Sequence, residues 1–317
     1  MNKKILITSR SFGKISHEPY DILAEAGYEV TNIGASFDQS EFERIVPEYD
    51  VLIIGAHEFP EDVMARCKKL KLICKHGVGL DNVHLEKAKE LGIAVCNTPG
   101  TNSNAVADLA FGLMLSSARK IQRSSLNVLK GVKQSVIGVD VYLKTLGLLG
   151  FGAVAKCVAR RARGFDMKVL AYDPYVKEVP EEFAGYVTLH TLDEVLQGCD
   201  YLSIHMPLTE ETHYMIGEKQ LSSMRQGSIL INTARGGIVD EAALYQALVN
   251  GHLSAAAMDV VEHEPVTADH PLLSLENVII TPHVGMYSKE AVNAVGMICA
   301  QNAAAFAAGK PLLHQVV

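Results

Sequence analysis

The sequence predicts an α/β protein made of two parallel-sheet lobes, and three observations carry that prediction. Short apolar runs of strand length alternate with amphipathic stretches of helix length along most of the chain, which is the pattern of a parallel sheet covered on both faces by helices. The alternation stops at the turn cluster Asn97-Thr98-Pro99-Gly100 and then restarts, as expected where Pro and Gly punctuate a boundary. A chain of 317 residues is long for one core and short for three, so two domains are expected.

In the first lobe, strands are expected at residues 4–8, 28–33, 50–56, 71–75 and 93–97, with amphipathic helices such as 20–26 and 84–91 between them. The second lobe opens with a long helix from 104 to about 120, and its strands are expected at 145–149, 168–172, 201–204, 228–232, 254–258 and 278–281. A final alanine-rich stretch, 288–308, carries apolar residues at helical spacing and has no strand after it. It either closes the second lobe or crosses back to the first, and crossing back would make the first domain discontinuous.

The apolar run from Thr145 ends in Gly150-Phe151-Gly152-Ala153-Val154-Ala155, a helical segment follows, and a second apolar run stops on Asp173. This is a nucleotide-binding βαβ unit. Gly150 permits the tight strand-to-helix turn, Gly152 removes the Cβ that would keep a pyrophosphate from the backbone, and the helix N-terminus faces the phosphates. Ala155 stands where a third glycine is common, a position that needs only a small side chain. Asp173 is placed to accept hydrogen bonds from a ribose diol and to repel a 2′-phosphate, and Pro174 and Tyr175 supply no arginine, so NAD is expected rather than NADP. The plainer reading of Asp173 is a strand end at an Asp-Pro turn.

The candidate chemistry follows the later strands. Asn232-Thr233-Ala234-Arg235-Gly236-Gly237, Asp259 to Pro265 and Thr281-Pro282-His283-Val284-Gly285 each come after one of them. The carboxyl ends of parallel strands share one edge, so Arg235, Glu264 and His283 should converge there with the dinucleotide. An arginine fork grips a carboxylate at two points. A histidine takes a proton from an alcohol as hydride leaves, or returns it to a carbonyl, and a nearby carboxylate favours its charged form. Taken singly, Arg235 could cap a loop, Glu264 could be a solvated charge and His283 a satisfied histidine. His205 ends a strand on the same edge and competes for the proton, but lining the cofactor beside Pro207 suits it better. His213 and His263 lie in polar loops and are expected at the surface.

Composition narrows the functional classes. With 48% hydrophobic and 21% charged residues and a net charge of −7, nothing attracts nucleic acid or an anionic membrane. No apolar run approaches a membrane span, and the N-terminus reads as a strand without a signal-peptide core, so a cytoplasmic location is expected. The six cysteines lack C-x-x-C spacing and lie mostly in apolar segments, which predicts buried reduced thiols and no structural metal.

These motifs together resemble the D-isomer-specific 2-hydroxyacid dehydrogenase family, with the D-3-phosphoglycerate dehydrogenases nearest. The resemblance rests on Gly150 to Ala155 with Asp173, His205-Met206-Pro207-Leu208-Thr209, Asn232 to Asp240, Met258-Asp259-Val260 with Glu264-Pro265, and Pro282 to Gly285. In the first lobe it rests on His76-Gly77-Val78-Gly79-Leu80-Asp81-Asn82 and Asn97 to Gly100. It implies a Rossmann domain, residues 100–286, inserted into a flavodoxin-like substrate-binding domain, residues 1–99 and 287–317. It further implies that Arg235 orients substrate, that His283 is the acid and base with Glu264 as partner, and that the Val78 and Gly79 backbone holds the substrate carboxylate. For the cofactor it implies Ala153 and Val154 at the pyrophosphate, Asp173 at the ribose, Pro207, Thr212, Thr233 and Ala234 along the walls, and Asp259 near the nicotinamide amide. Gly150, Gly152, His205 and Gly285 complete that set. Homodimers formed through the nucleotide-binding domain are also implied.

Lys75, at a substrate-facing position, stands where many relatives carry arginine, Met286 replaces a small residue and Leu143 a frequent glycine. Lysine supplies a cation without a fork, which weakens the case for phosphate recognition. The end at Val317 leads us to expect no serine-responsive regulatory extension. The expected activity is hydride transfer between NAD(H) and a small D-2-hydroxy acid or 2-oxo acid, 3-phosphoglycerate or glycerate/hydroxypyruvate. An NADH-sensing, non-catalytic module of corepressor type is the alternative, and a formate- or phosphite-type dehydrogenase ranks below both because such relatives tend to carry an amide where Glu264 stands.

Overall fold

Residues 3–317 are described in a computed structural model. The strands are β1 Lys3–Ile7, β2 Tyr28–Asn32, β3 Val51–Ile54, β4 Leu72–Lys75, β5 Ala94–Cys96, β6 Thr145–Leu149, β7 Lys168–Tyr172, β8 Val187–Leu189, β9 Tyr201–Ile204, β10 Ile229–Asn232, β11 Ala255–Met258 and β12 Val278–Ile280. The helices are α1 Glu18–Glu25, α2 Gln39–Ile45, α3 Glu61–Arg66, α4 Leu85–Glu90, α5 Ser103–Arg119, α6 Ile121–Leu129, α7 Ala153–Arg163, α8 Leu192–Gly198, α9 Glu218–Ser223, α10 Glu241–Val249 and α11 Lys289–Ala307. The chain divides into two compact units. One runs to Asn102 and resumes at Met286–Val317; the other is Ser103–Gly285.

In the first unit, five parallel strands lie in the order β2-β1-β3-β4-β5, a flavodoxin-like order. All four residues of β3 and of β4 are buried, because helices cover both faces and leave no side of the strand for polar residues. The destination of the last helix is settled here. Val295, Cys299, Ala300 and Ala303 of α11 share one core with Ile5, Ile7, Leu23, Val51 and Ile53, so the helix crosses back to the first unit. Its small residues allow a close approach, and the Cys299 thiol reaches the Lys75 carbonyl at 3.5 Å.

The second unit has seven parallel strands in the order β12-β11-β10-β9-β6-β7-β8. The winding reverses between β6 and β9, and a ligand crevice lies outside the strand ends at such a switch point. Both sheets match the expected α/β class, with observed strand ends within two residues of those read from the sequence. Several elements were not read from it, β8 and α6 among them. β8 is an edge strand of three residues with only Val187 buried, too short and too wet to show a pattern. α6 begins after Lys120 turns the chain at φ +52°, and none of its residues is buried. Caps mark other ends: Thr191 and Glu194 form a capping box on α8, and Asp240 and Ser288 cap α10 and α11.

All six cysteines are free and buried. Leu143 takes φ +60° with its side chain exposed, a conformation in which glycine is unstrained, and Met286 packs against the first unit's core. Among the described residues no helix is long and apolar enough to cross a membrane, and no group of three or more His, Cys, Asp or Glu could hold a metal ion.

Candidate active site

The nucleotide turn follows β6. Gly150 has φ +87°, and a Cβ there would stand 2.6 Å from the His205 carbonyl oxygen, so the turns after β6 and β9 are in backbone contact. Gly152 caps α7, and a Cβ built on it meets nothing within 4 Å. The first intrahelical bond is donated by Lys156 to the Gly152 carbonyl, which leaves the earlier N–H groups at the positive end of an 11-residue helix for an anion. Asp173 closes the unit. Its Oδ2 accepts the Phe151 N–H at 2.8 Å and its Oδ1 accepts those of Tyr175 and Val176 at 2.9 and 3.3 Å, which aims the carboxylate along the glycine turn.

Beside this turn two buried polar atoms lack a protein partner: His205 Nδ1 and Thr233 Oγ1. Their residues follow directly on Ile204 and Asn232, which pair across β9 and β10. Orphaned polar atoms are costly in a folded interior unless a ligand meets them, so an open glycine turn, an oriented carboxylate and two waiting polar atoms fit a dinucleotide. The other His205 nitrogen, Nε2, is bonded to Ser203 Oγ at 2.8 Å, and burial pushes the imidazole pKa down to about 3, which leaves it neutral. Thr212 Oγ1 donates to the Pro207 carbonyl at 2.7 Å and closes the loop after β9. His213 and His263 are exposed.

Three loops bring the remaining groups together. After β10, the Asn232 side chain folds the turn by accepting the Ala234 N–H at 3.0 Å and donating to the Arg235 carbonyl at 2.9 Å, and Arg235 Nη1 donates to the Ala234 carbonyl at 2.7 Å. After β12, the buried Asp259 draws in the segment 281–285: Thr281 Oγ1 donates to it at 2.5 Å, and the N–H groups of Val284 and Gly285 donate at 2.9 and 2.8 Å. Gly285 fits because a Cβ would lie 3.2 Å from Asp259 Oδ2. Burial raises the Asp259 carboxyl above its ordinary value, although these bonds and the nearby His283 pull the other way.

This bracket leaves His283 at φ +52°, a left-handed conformation that a non-glycine residue keeps only when its surroundings impose it. There, His283 Nδ1 meets Glu264 Oε2 at 2.8 Å. Burial alone would raise the Glu264 carboxyl, but the bond and charge of His283, the Val261 N–H and the Arg235 guanidinium outweigh it and hold the carboxyl below its ordinary value. Since Nδ1 is engaged by a carboxylate, Nε2 is the ring nitrogen that the pair leaves for another partner. Gly236 lets the loops meet, because a Cβ there would stand 1.9 Å from the Val261 carbonyl oxygen. Reading the sequence assigned no role to Gly236, Thr281 or the Asn232 side chain; a glycine directly after Arg235 was the one available signal.

Lys75, Val78 and Gly79 belong to the first unit. Lys75 is buried at the end of β4 and donates to the Gly55 carbonyl at 2.7 Å and to Asn82 Oδ1 at 2.6 Å. Gly77 turns the chain at φ +148°, and Asn97 Nδ2 donates to the Val78 carbonyl at 2.8 Å.

The doubly wound sheet, its glycine turn and the carboxylate-bound imidazole define a dinucleotide-dependent oxidoreductase. Residues 111–285 match the family model of the D-isomer specific 2-hydroxyacid dehydrogenase NAD binding domain. A hydroxypyruvate reductase from Thermotoga maritima is 43% identical over 82% of this chain and 85% of its own length. A D-3-phosphoglycerate dehydrogenase from Archaeoglobus fulgidus is 40% identical over 95% of this chain, which spans only 58% of that relative. Among solved structures, the TT0316 protein from Thermus thermophilus superposes with a TM-score of 0.91 at 35% identity, covering 99% of this chain and 100% of that one. The chain belongs to the D-isomer-specific 2-hydroxyacid dehydrogenase family and its cofactor is NAD. Gly152→Val, which fills the open space of the turn, is expected to weaken NADH binding by about a hundredfold in a fluorescence titration. Unchanged affinity would remove this turn from the nucleotide site.

Proposed function

We propose that the protein reduces a small unphosphorylated 2-oxo acid of the hydroxypyruvate or glyoxylate type to its D-2-hydroxy acid, and runs the reverse oxidation with NAD. The observation that carries this reading is the 2.8 Å bond between His283 Nδ1 and Glu264 Oε2, with the Arg235 guanidinium close enough to lower the same carboxyl. The bound dinucleotide supplies the hydride. His283 Nε2 gives a proton to the developing alkoxide in reduction and takes it from the alcohol in oxidation, while Glu264 holds the ring in place. Arg235 grips the substrate carboxylate as a fork. Residues 1–99 with 287–317 serve as the substrate-binding domain and 100–286 as the NAD-binding domain.

Preference for unphosphorylated acids follows from Lys75. Its ammonium is buried and already donates to Gly55 O and Asn82 Oδ1, which favours a role in tying two turns together over one in holding a phosphate. Steady-state kinetics test this: kcat/KM for hydroxypyruvate or glyoxylate is expected to exceed that for 3-phosphohydroxypyruvate by at least about tenfold. The opposite order would overturn the substrate assignment, and NADH binding without turnover of any 2-oxo acid would favour the sensor.

A homodimer formed through the nucleotide-binding domain is part of the same reading. Among the described residues, half of the large apolar side chains that are exposed, including Ile121, Val128, Leu129, Ile137 and Tyr142, fall between residues 121 and 143, a concentration that suits an interface. Sedimentation is expected to show a dimer that Leu129→Glu converts to monomer.

A further inference from the structure

The segment that carries Glu264 is anchored by two ionisable side chains that the chemistry above does not use. Glu241 opens α10, and both of its carboxylate oxygens are engaged: Oε1 accepts the Glu262 N–H at 2.8 Å and Oε2 meets His270 Nε2 at 3.0 Å. The side chains of Glu241 and His270 are only 15% and 12% exposed, whereas the partners in a surface pair such as Arg160–Glu182 are about half exposed. Exposed pairs contribute little, but a sheltered pair is strongly destabilising to break. The carboxylate is itself fixed, because Asp240 Oδ1 accepts the Ala242 and Ala243 N–H groups at 3.0 Å each and holds the start of α10.

One carboxylate therefore ties down residue 262 on one side of Glu264 and residue 270 on the other. Tyr214 adds a hydrogen bond from its hydroxyl to the Glu262 side chain, and the Val261 N–H donates to Glu264 Oε1 at 3.3 Å. No strand runs between Met258 and Val278, so these bonds, with the buried Val260, Val261 and Leu272, hold the segment that carries Glu264.

We propose that Glu241 and His270 are positioning residues of the reaction: by holding Glu262 and the chain at 270, they keep the Glu264 carboxylate at bonding distance from His283 Nδ1. Neither touches a reacting atom, and the proposal rests on His283 and Glu264 being the proton-transfer pair. An ångström of slack in the segment is enough to lose the orientation of the imidazole.

A double-mutant cycle between Glu241→Ala and Glu264→Gln tests this in the full-length protein. Glu241→Ala alone is expected to lower kcat for 2-oxo acid reduction by about tenfold to a hundredfold, with the KM for NADH unchanged. Glu241→Gln, which keeps an acceptor oxygen for the Glu262 N–H, should recover part of the loss. In the Glu264→Gln background the same alanine substitution should change kcat less than about twofold, since the group it positions is gone. Full additivity, or a lower Tm with kcat preserved, would overturn the proposal. If Glu241→Ala does not fold, His270→Ala is read in the same cycle. Failure of the underlying reading looks different, because His283→Ala would then retain the wild-type kcat.

Discussion

Replacing His283 with alanine is expected to lower kcat for 2-oxo acid reduction by about a thousandfold, within the range by which a positioned acid-base group accelerates proton transfer, while NADH binding is retained. The glycine turn lies after β6, whereas His283 follows β12, the edge strand four places away in the sheet order, so the substitution leaves that turn intact. Reduction takes up a proton from the imidazolium and oxidation returns it, so kcat/KM for reduction falls as pH rises and that for oxidation climbs. Glu264→Gln removes the carboxylate that holds the ring through Nδ1, and kcat for reduction should fall with the lost orientation. The sign for stability follows from the same carboxyl. Because its folded value is lowered, the stability it contributes is present above the unfolded value and is lost as pH falls through the folded one. His205 offers a control: burial holds it to about 3, so it has no proton to give near neutrality, and His205→Asn should leave the pH profile in place. Equal losses in the His283 and His205 variants would end the assignment of His283.

Gly236→Ala is expected to be nearly as damaging although it removes nothing. Its new methyl would meet the Val261 carbonyl oxygen at 1.9 Å, the Val261 carbonyl carbon at 2.3 Å and the Glu262 nitrogen at 2.8 Å. All three are backbone atoms that cannot swing away. The loop holding Arg235 and the loop holding Glu264 must separate, and a displacement of about an ångström costs on the order of a hundredfold in kcat/KM. Stability should fall by about 1–3 kcal/mol, the usual penalty of overpacking, measurable by urea denaturation. Wild-type kinetics in this variant would show that the two loops need not touch. Gly152 makes the contrast, because its Cβ has open space and substitution there should reduce nucleotide affinity with the fold intact.

Much of the architecture was legible because it rests on local rules. Strands buried on both faces announce themselves as continuous apolar runs, and Gly150, Gly152 and Asp173 sit in a unit whose parts are adjacent in sequence. The edge strand at 187–189 carried too little burial to be seen. The long helix was read to its end near Lys120, but α6 beyond it was not read, because none of its residues is buried. For the candidate site, residue types and strand ends located Arg235, Glu264 and His283 on one edge, but spacing could not say which atoms touch.

The sequence by itself determined the alternation of strands and helices, the nucleotide turn and the chemical inventory at the strand ends, because periodicity, glycine geometry and side-chain type act over a few neighbouring residues. Only the tertiary structure decided that α11 returns to the first unit, that both oxygens of Asp259 are committed to the segment carrying His283, and that Glu264 meets that imidazole 19 residues further along. Those outcomes depend on how distant loops are drawn against one another by packing and buried hydrogen bonds, which no local pattern encodes.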